Sequence, residues 1–168
     1  MTEPYLINAE PFIDHRGVFE KIYKQKVLES PVVEINISST THHGTVRGLH
    51  YQIGNEWKIV KILKGVIFDV LLDIRKGSPT FLKFVSVIMI RNHQTWCIPP
   101  GFAHGYQTIT DDCEVLYLHT EPYSEKDSRT IRYDDPKIGI PWPLSVGEIS
   151  EKDKNVLFLT NKFKGVKT

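Results

Sequence analysis

Hydrophobic and polar residues alternate along much of this chain, most clearly between residues 44 and 52. In that stretch apolar residues are interspersed with Arg47, His50 and Gln52. Alternation with a period of two is typical of a β-strand with one polar face. We therefore predict a strand over 44–52 that presents these groups to a polar space, such as the interior of an occupied β-barrel.

Similar apolar segments recur about every 8–12 residues, with turn signals between them. Further strands are predicted at 32–39, 59–63, 66–74, 81–90, 95–98, 106–110, 115–120 and 130–133, and short helices at 21–30 and 150–159. This spacing is typical of an antiparallel sandwich or barrel. No repeat, low-complexity segment or linker divides the chain, so we predict one domain over residues 1–168.

Composition narrows the functional classes. The 168 residues include 21 basic and 20 acidic residues, which argues against nucleic acid or a membrane surface as the main partner but permits a small anionic ligand. Cys97 and Cys113 fit neither a metal spacing nor a disulfide framework. The N-terminus lacks a signal-peptide pattern and no apolar segment is long enough to cross a bilayer, so we expect a cytoplasmic protein.

Two motifs resemble the two-part signature of the cupin barrel, namely Gly44-x5-His50 and Pro99-x-Gly101-x2-His104. In that fold the two histidines face each other across the interior. The resemblance implies an all-β, cupin-type jelly-roll barrel with a few short peripheral helices.

A metal site is one alternative for these histidines. His50, Glu56 and His104 together would provide the two-His-one-carboxylate set that binds iron in oxygenases. Metal-binding cupins, however, have a second histidine where this chain has Gln52. The pattern is therefore one ligand short, and a metal-dependent oxygenase stays the weaker interpretation.

Eight motifs, taken in order from about residue 10 to 155, look like the dTDP-4-dehydrorhamnose 3,5-epimerase family. They are Asp14-His-Arg-Gly-Val-Phe19, Gly44-Thr-Val-Arg-Gly-Leu-His-Tyr-Gln52, Asp69-Val-Leu-Leu-Asp-Ile-Arg75, Gly77-Ser-Pro-Thr-Phe81, Ile98-Pro-Pro-Gly-Phe-Ala-His-Gly105, Leu116-Tyr117, Ile138-Gly-Ile-Pro-Trp-Pro143 and Ile149-Ser-Glu-Lys-Asp153. The family needs no metal or redox cofactor, and it pairs two subunits through N-terminal strands. The resemblance therefore implies a cofactor-independent homodimer.

The resemblance also implies catalytic roles. His50 matches the general base, and Asp153 matches the carboxylate paired with it. Tyr117 matches the general acid on the opposite side of the sugar ring. Lys58 and His104 match groups that contact the sugar and steady the enolate oxygen. Four of these residues have simpler interpretations. Asp153 also fits a helix-capping pattern and Tyr117 a core aromatic. His50 could be a core histidine with satisfied hydrogen bonds, and Lys58 a solvated residue at a strand end.

Substrate binding is implied for a second set of residues. Arg16 and Arg47 match groups that hold the nucleotide diphosphate, a ligand that suits the planar fork of arginine. The other implied substrate-binding residues are Asn36, Gln52, Glu20 and Tyr123. The chain departs from the family pattern at Lys21, Glu34 and Pro122, which lie in or near the rim of the site, where the nucleotide and substrate bind. Other histidines, including His119 and the pair His42 and His43 in a polar loop, have no matched role.

The chemistry of a 4-keto sugar suits the catalytic set. Removing a proton from C3 or C5 gives an enolate delocalised onto the C4 oxygen, and inversion needs a base on one face and an acid on the other. We therefore expect epimerisation at C3, C5 or both of a 4-keto-6-deoxyhexose linked to dTDP or another nucleotide, in deoxysugar biosynthesis. A keto-isomerase and a barrel that binds nucleotide sugars without turnover are the remaining alternatives.

Overall fold

The computed structural model describes residues 2–24, 28, 30–91 and 94–168 and shows an almost entirely β protein. Its strands are β1 (Tyr5–Asn8), β2 (Phe12–Asp14), β3 (Gly17–Phe19), β4 (Glu34–Thr40), β5 (Val46–Gln52), β6 (Lys58–Lys64), β7 (Val66–Asp73), β8 (Phe84–Ile90), β9 (Gln94–Ile98), β10 (Phe102–Thr108), β11 (Cys113–His119) and β12 (Ser128–Thr130), and its helix is α1 (Glu151–Lys154). The predicted all-β class is confirmed.

The strands form two five-stranded antiparallel sheets and a separate hairpin. The first sheet has the order β1-β9-β6-β11-β4, the second has the order β12-β5-β10-β7-β8, and β2 pairs with β3. Apolar side chains from both sheets meet in one core, for example Val60 and Val115 from the first and Ile67 and Leu71 from the second. The sheets therefore lie face to face, and their inner faces enclose the space that holds the candidate site.

The central strands of both sheets are also covered on their outer faces, which explains near-continuous apolar runs such as β7. Leu28 and Tyr23 of the N-terminal segment pack against the outer face of the first sheet. Ile140 and Phe163 of the C-terminal segment pack outside the second sheet. A strand covered on both faces gains stability from apolar residues at every position, at roughly 25 cal/mol per Å² of apolar surface removed from water.

The predicted helices are the least accurate part of the sequence interpretation. Of the predicted helix at 21–30, residues 25–27 and 29 lie outside the described residues, and the others are not helical. The predicted helix at 150–159 is only α1, with Ser150 as its N-cap. It ends early because the Arg132 guanidinium binds the carbonyl oxygens of Lys154 and Val156, at 2.8 and 3.2 Å. Local sequence predicts the start of this helix, but a distant arginine determines its end.

The buried ion pair of Asp73 and Arg75 lies at the end of β7. Arg75 is 2% exposed, and its guanidinium donates to Asp73 at 2.7 Å and to Glu3 at 2.8 Å. Asp73 also accepts hydrogen bonds from Ser78 and Thr80, both at 2.6 Å. Because every atom of this network lies outside the cavity between the sheets, we infer that it stabilises the fold and does not bind substrate.

This network predicts acid-sensitive stability. Burial of Asp73 would raise its pKa, but the bonds from Arg75, Ser78 and Thr80 outweigh burial and lower it to about 2. A carboxyl group with a depressed pKa stabilises the fold above its unfolded pKa of about 4, and this stabilisation is lost as the pH falls toward about 2. We expect Asp73→Asn to lower the free energy of unfolding at pH 7 by about 3 kcal/mol, because the buried Arg75 loses its buried partner and keeps only the exposed Glu3.

Urea unfolding followed by tryptophan fluorescence between pH 7 and pH 2 measures this effect. The difference between wild type and Asp73→Asn should shrink below about pH 4. Asp111→Asn is the matched control, since Asp111 pairs with His43 at 2.8 Å on an exposed surface. A pH-independent difference for Asp73→Asn would contradict the assignment.

Candidate active site

A cavity of about 960 Å³ lies between the two sheets. Its size is at the upper end of the range for small-molecule and cofactor sites. The inner faces of β4, β5, β6, β10 and β11 line it, together with residues 147–150 and 152–154 around α1. Of the residues predicted for the site, it contains His50, Asp153, Tyr117, Lys58, His104, Arg47, Asn36, Gln52 and Tyr123. The barrel therefore brings together residues as far apart in sequence as Asn36 and Asp153.

His50 and Asp153 form a hydrogen-bonded pair. The His50 Nε2 lies 2.7 Å from Asp153 Oδ1, and the Gly48 amide donates to the other carboxylate oxygen at 3.4 Å. Asp153 is buried, whereas 44% of the His50 side chain is exposed to the cavity. Burial alone would raise the pKa of Asp153, but the bonds from His50 and Gly48 outweigh it, so this pKa is lowered. An ionised Asp153 stabilises the protonated form of His50, which suits a base that accepts a proton.

Asp153 both takes part in the cap of α1 and contacts His50. It lies in the first turn of α1, where its amide donates to Ser150 Oγ at 3.1 Å. Its carboxylate meanwhile binds His50. The helix cap therefore holds the carboxylate behind the histidine ring.

Gly48 allows β5 to approach β10 closely. It has a φ of +127°, and a Cβ atom at this position would lie 2.6 Å from the Gly105 Cα. The pairing of the two strands is irregular here, between His104 and Tyr106, and His50 lies directly opposite His104. A side chain at position 48 would push the strands apart and separate these histidines.

Tyr117 lies across the cavity on β11. Its ring contacts His104 edge-on at 5.9 Å and stacks on His119 at 6.0 Å. Burial, with smaller contributions from Tyr106 and Asp69, raises the pKa of Tyr117 well above its usual value. Its phenol therefore keeps its proton at neutral pH.

His104 has a buried partner that the sequence did not reveal. Its Nε2 lies 2.7 Å from Asp69 Oδ1, and both side chains are at most 5% exposed. The other carboxylate oxygen of Asp69 has no hydrogen-bond partner within the described ranges. In the sequence, Asp69 begins one of the family motifs and interrupts an otherwise apolar strand, but neither pattern identifies its partner. That interruption was the available signal, because a buried aspartate in a strand needs a partner.

Lys58 also contacts a partner that the sequence did not predict. Its Nζ lies 3.4 Å from Glu56 Oε2, and the other oxygen of Glu56 lies 2.8 Å from His119 Nδ1. Burial would raise the pKa of Glu56, but the contacts with His119 and Lys58 outweigh it, so this pKa is lowered. The cavity thus contains a carboxylate shared by a lysine and a histidine.

The three residues of the alternative metal site, His50, Glu56 and His104, do not point to a common position. His50 binds Asp153, His104 binds Asp69 and Glu56 binds His119, so each of the three binds a different residue. Within residues 2–24, 28, 30–91 and 94–168, no group of three or more His, Cys, Asp or Glu side chains is arranged to hold a metal. The donor geometry therefore gives no support to the oxygenase interpretation.

The predicted rim residues differ in how free they are to bind a ligand. Arg47 is exposed and donates to Thr40 Oγ1 at 3.1 Å. The Asn36 amide binds Glu34 at 2.7 Å, and Glu34 in turn accepts the backbone amide of Tyr123 at 3.0 Å. Tyr123 itself is 61% exposed. Arg47 and Tyr123 are thus the more accessible members of the rim.

Gln52 binds the neighbouring loop at both ends of its amide group. It donates to the Pro122 carbonyl oxygen at 3.1 Å and accepts the Ser124 amide at 2.8 Å. The side chain that replaces a metal ligand in the cupin pattern therefore orients the loop that carries Tyr123.

Arg16 and Glu20 do not line the cavity of their own chain. Arg16 lies in the exposed β2–β3 turn and pairs with Asp14 at 2.6 Å. Glu20 binds the buried Lys61 at 2.6 Å. Lys61 alternates with the inward-facing Lys58, Val60 and Ile62, which places it on the outer face of the first sheet. These two predicted site residues are thus separate from the other nine.

The two facing sheets and their polar interior define a cupin-type jelly-roll barrel, as predicted. Comparison with known proteins then gives the family. The sequence model described as dTDP-4-dehydrorhamnose 3,5-epimerase matches residues 1–161, so the chain belongs to this family of isomerases.

No helix among the described residues is long and apolar enough to span a membrane.

Individual relatives of this chain are also 3,5-epimerases of dTDP-linked sugars by name. The dTDP-4-dehydrorhamnose 3,5-epimerase of Sinorhizobium fredii is 39% identical over 165 residues, covering 92% of this chain and 84% of the relative. The Bacillus anthracis enzyme of the same name, solved with TDP and PPi bound, superposes with a TM-score of 0.88 at 35% identity, covering 93% of this chain and 94% of that one. A Legionella pneumophila dTDP-6-deoxy-D-glucose-3,5-epimerase, solved with dTDP-4-keto-L-rhamnose, has a TM-score of 0.84 at 35% identity, covering 91% and 86%.

Proposed function

We propose that this enzyme epimerises a dTDP-linked 4-keto-6-deoxyhexose at C3 and C5 by proton transfer through an enolate. The observation that carries the proposal is the His50–Asp153 pair, which shares one cavity with the phenol of Tyr117. The Bacillus anthracis and Legionella pneumophila relatives, which were solved with TDP and with a dTDP-keto-sugar, support the choice of nucleotide.

In this mechanism His50 removes the proton next to the C4 carbonyl group. The carbanion that forms is an enolate, because its charge delocalises onto the C4 oxygen. Asp153 stabilises the resulting imidazolium through the 2.7 Å contact. The proton is acidic only because the neighbouring carbonyl accepts this charge, so stabilisation of the C4 oxygen is the dominant requirement.

Lys58 and His104 are the groups that we assign to the C4 oxygen. Both line the cavity, and Lys58 carries a positive charge into a largely buried position, with 14% of its side chain exposed. A cation in such a low-dielectric site stabilises developing negative charge more strongly than it does in water. Tyr117 then returns a proton to the opposite face of the carbon, and this step inverts the centre.

We assign binding of the nucleotide diphosphate to two arginines, Arg47 and Arg16. Arg47 is exposed at the cavity. We propose that Arg16 reaches the cavity of a second subunit in a homodimer, with Asn36, Gln52, Glu20 and Tyr123 around the nucleotide. The exposed hairpin supports this, since its residues Phe12 and Phe19 are 63% and 70% exposed and are suited to burial against a partner.

Deuterium exchange tests the proposed reaction directly. The protein is incubated with dTDP-4-keto-6-deoxyglucose in deuterated water, and the label is located by NMR. We expect deuterium at both C3 and C5, together with the inverted product. Label at one carbon alone would indicate a single-site epimerase, and a 3-keto product would indicate a keto-isomerase, because the enediol formed between C3 and C4 can regain its proton at C4. Absence of exchange with this and related nucleotide sugars would refute the proposal.

A further inference from the structure

His119 lies in a row of polar side chains on the inner face of the first sheet. In the register of the sheet it is opposite Glu34 of β4 on one side and Lys58 of β6 on the other. All three line the cavity. Tyr117 is two residues away on the same strand and therefore on the same face. His119 thus adjoins two residues to which we assign catalytic roles, although its sequence context suggested no role.

The ring of His119 is fixed on two sides. Its Nδ1 lies 2.8 Å from the buried Glu56 carboxylate, and Tyr117 stacks on its plane at 6.0 Å with an interplanar angle of 18°. Since the lowered pKa keeps Glu56 ionised, Nδ1 carries a proton that it donates to Glu56. Turning the ring would break this bond and leave a buried carboxylate without it.

The other ring nitrogen is available for a ligand. His119 Nε2 makes no hydrogen bond to any residue that the structure describes, while 16% of the side chain remains exposed. In the neutral ring Nε2 accepts a hydrogen bond, and in the protonated ring it donates one. A hydroxyl group both donates and accepts, so it pairs with Nε2 in either state.

We propose that His119 is a substrate-binding residue whose Nε2 hydrogen-bonds a hydroxyl group of the sugar ring, and that Glu56 is its positioning residue. This inference rests on the proposed function, in which the sugar occupies the space beside Lys58 and Tyr117. The candidate hydroxyl groups are those at C2 and C3. His119 then selects hydroxylated sugars, because an analogue without the hydroxyl leaves Nε2 without a partner in a largely buried site.

Substrate analogues test this assignment. The rate of deuterium exchange at C5 is compared for dTDP-4-keto-6-deoxyglucose and its 2-deoxy and 3-deoxy analogues, all of which retain C5. The wild type should prefer the parent sugar over one analogue by at least about tenfold in kcat/KM. The analogue that is discriminated against identifies the hydroxyl group. In His119→Ala this preference should fall to about one.

Two further variants separate binding from structure. Glu56→Gln keeps the shape of the side chain and a hydrogen-bond acceptor, so its preference should be intermediate. His43→Ala is the matched control, because His43 forms a similar 2.8 Å contact with Asp111 at an exposed position outside the cavity. It should keep the wild-type preference. Since the ratio compares two substrates on one preparation, partial loss of folded protein does not change it.

The outcomes distinguish this inference from the proposed function. An active wild type that shows no preference, or a preference that survives in His119→Ala, would overturn the role of His119 and leave the epimerase proposal intact. A wild type that exchanges no deuterium with the parent sugar would overturn both.

Discussion

Replacing His50 with alanine is expected to abolish deuterium exchange at both C3 and C5 of the keto sugar. The variant lacks the group that accepts the proton, while Asp153 remains buried and held by α1. General-base catalysis typically contributes 10²–10⁴-fold. We therefore expect the exchange rate to fall by at least about 10³-fold, and NMR in deuterated water measures it at each carbon separately.

Controls separate loss of the base from general disruption of the fold. His43→Ala should exchange at the wild-type rate, since the exposed His43–Asp111 pair lies outside the cavity. Asp153→Asn keeps a hydrogen-bond acceptor but removes the charge that stabilises the imidazolium, so its rate should be intermediate. If His50→Ala still exchanged at one carbon, a second base would serve that carbon. His104 with its partner Asp69 would be the first candidate.

The sequence predicted the strand that carries His50 because its signal is local. Period-two alternation over 44–52 corresponds to β5 at Val46–Gln52. The cupin resemblance implied that His50 and His104 face each other across the interior, but they lie as neighbours on adjacent strands of one sheet. The all-β class followed from the spacing of apolar segments. Such features depend on neighbours a few residues apart, and the physics of the pleated strand acts at that range.

The partners of the site residues were not predictable in the same way. Asp69 meets His104 only because β7 pairs with β10, and Glu56 meets His119 across 63 positions of sequence. Each carboxylate looks like an ordinary polar residue until the register of the sheets is known. His119 was therefore left without a role although it lines the cavity.

Arg16 and Glu20 show a second limit of the sequence. A motif match assigns a role to a residue type, but it does not tell which subunit contains the site that the residue serves. In the folded chain Arg16 lies on an exposed hairpin, and Glu20 neutralises a buried lysine. Their assignment to substrate binding therefore stays a prediction that depends on the homodimer.

Tyr117→Phe is expected to separate proton removal from inversion. The phenylalanine ring keeps the packing against His104 and His119 but has no proton to return. His50 is unchanged, so exchange with deuterium on its side of the sugar should continue with retention of configuration. Inversion should fall by about 10²–10⁴-fold, the usual contribution of a general acid. NMR of the product distinguishes the two, because label in the starting epimer reports exchange alone.

Tyr106 is the competing acid, and its surroundings explain why we favour Tyr117. The Tyr106 hydroxyl is 2.9 Å from Ser38 Oγ and the residue is 1% exposed, so its phenol has little access to a ligand. Tyr117 is only partly buried and lies between two histidines of the cavity. Tyr106→Phe should therefore slow exchange and inversion equally, if at all. If Tyr117→Phe inverted the sugar at the wild-type rate while Tyr106→Phe did not, the acid would be Tyr106.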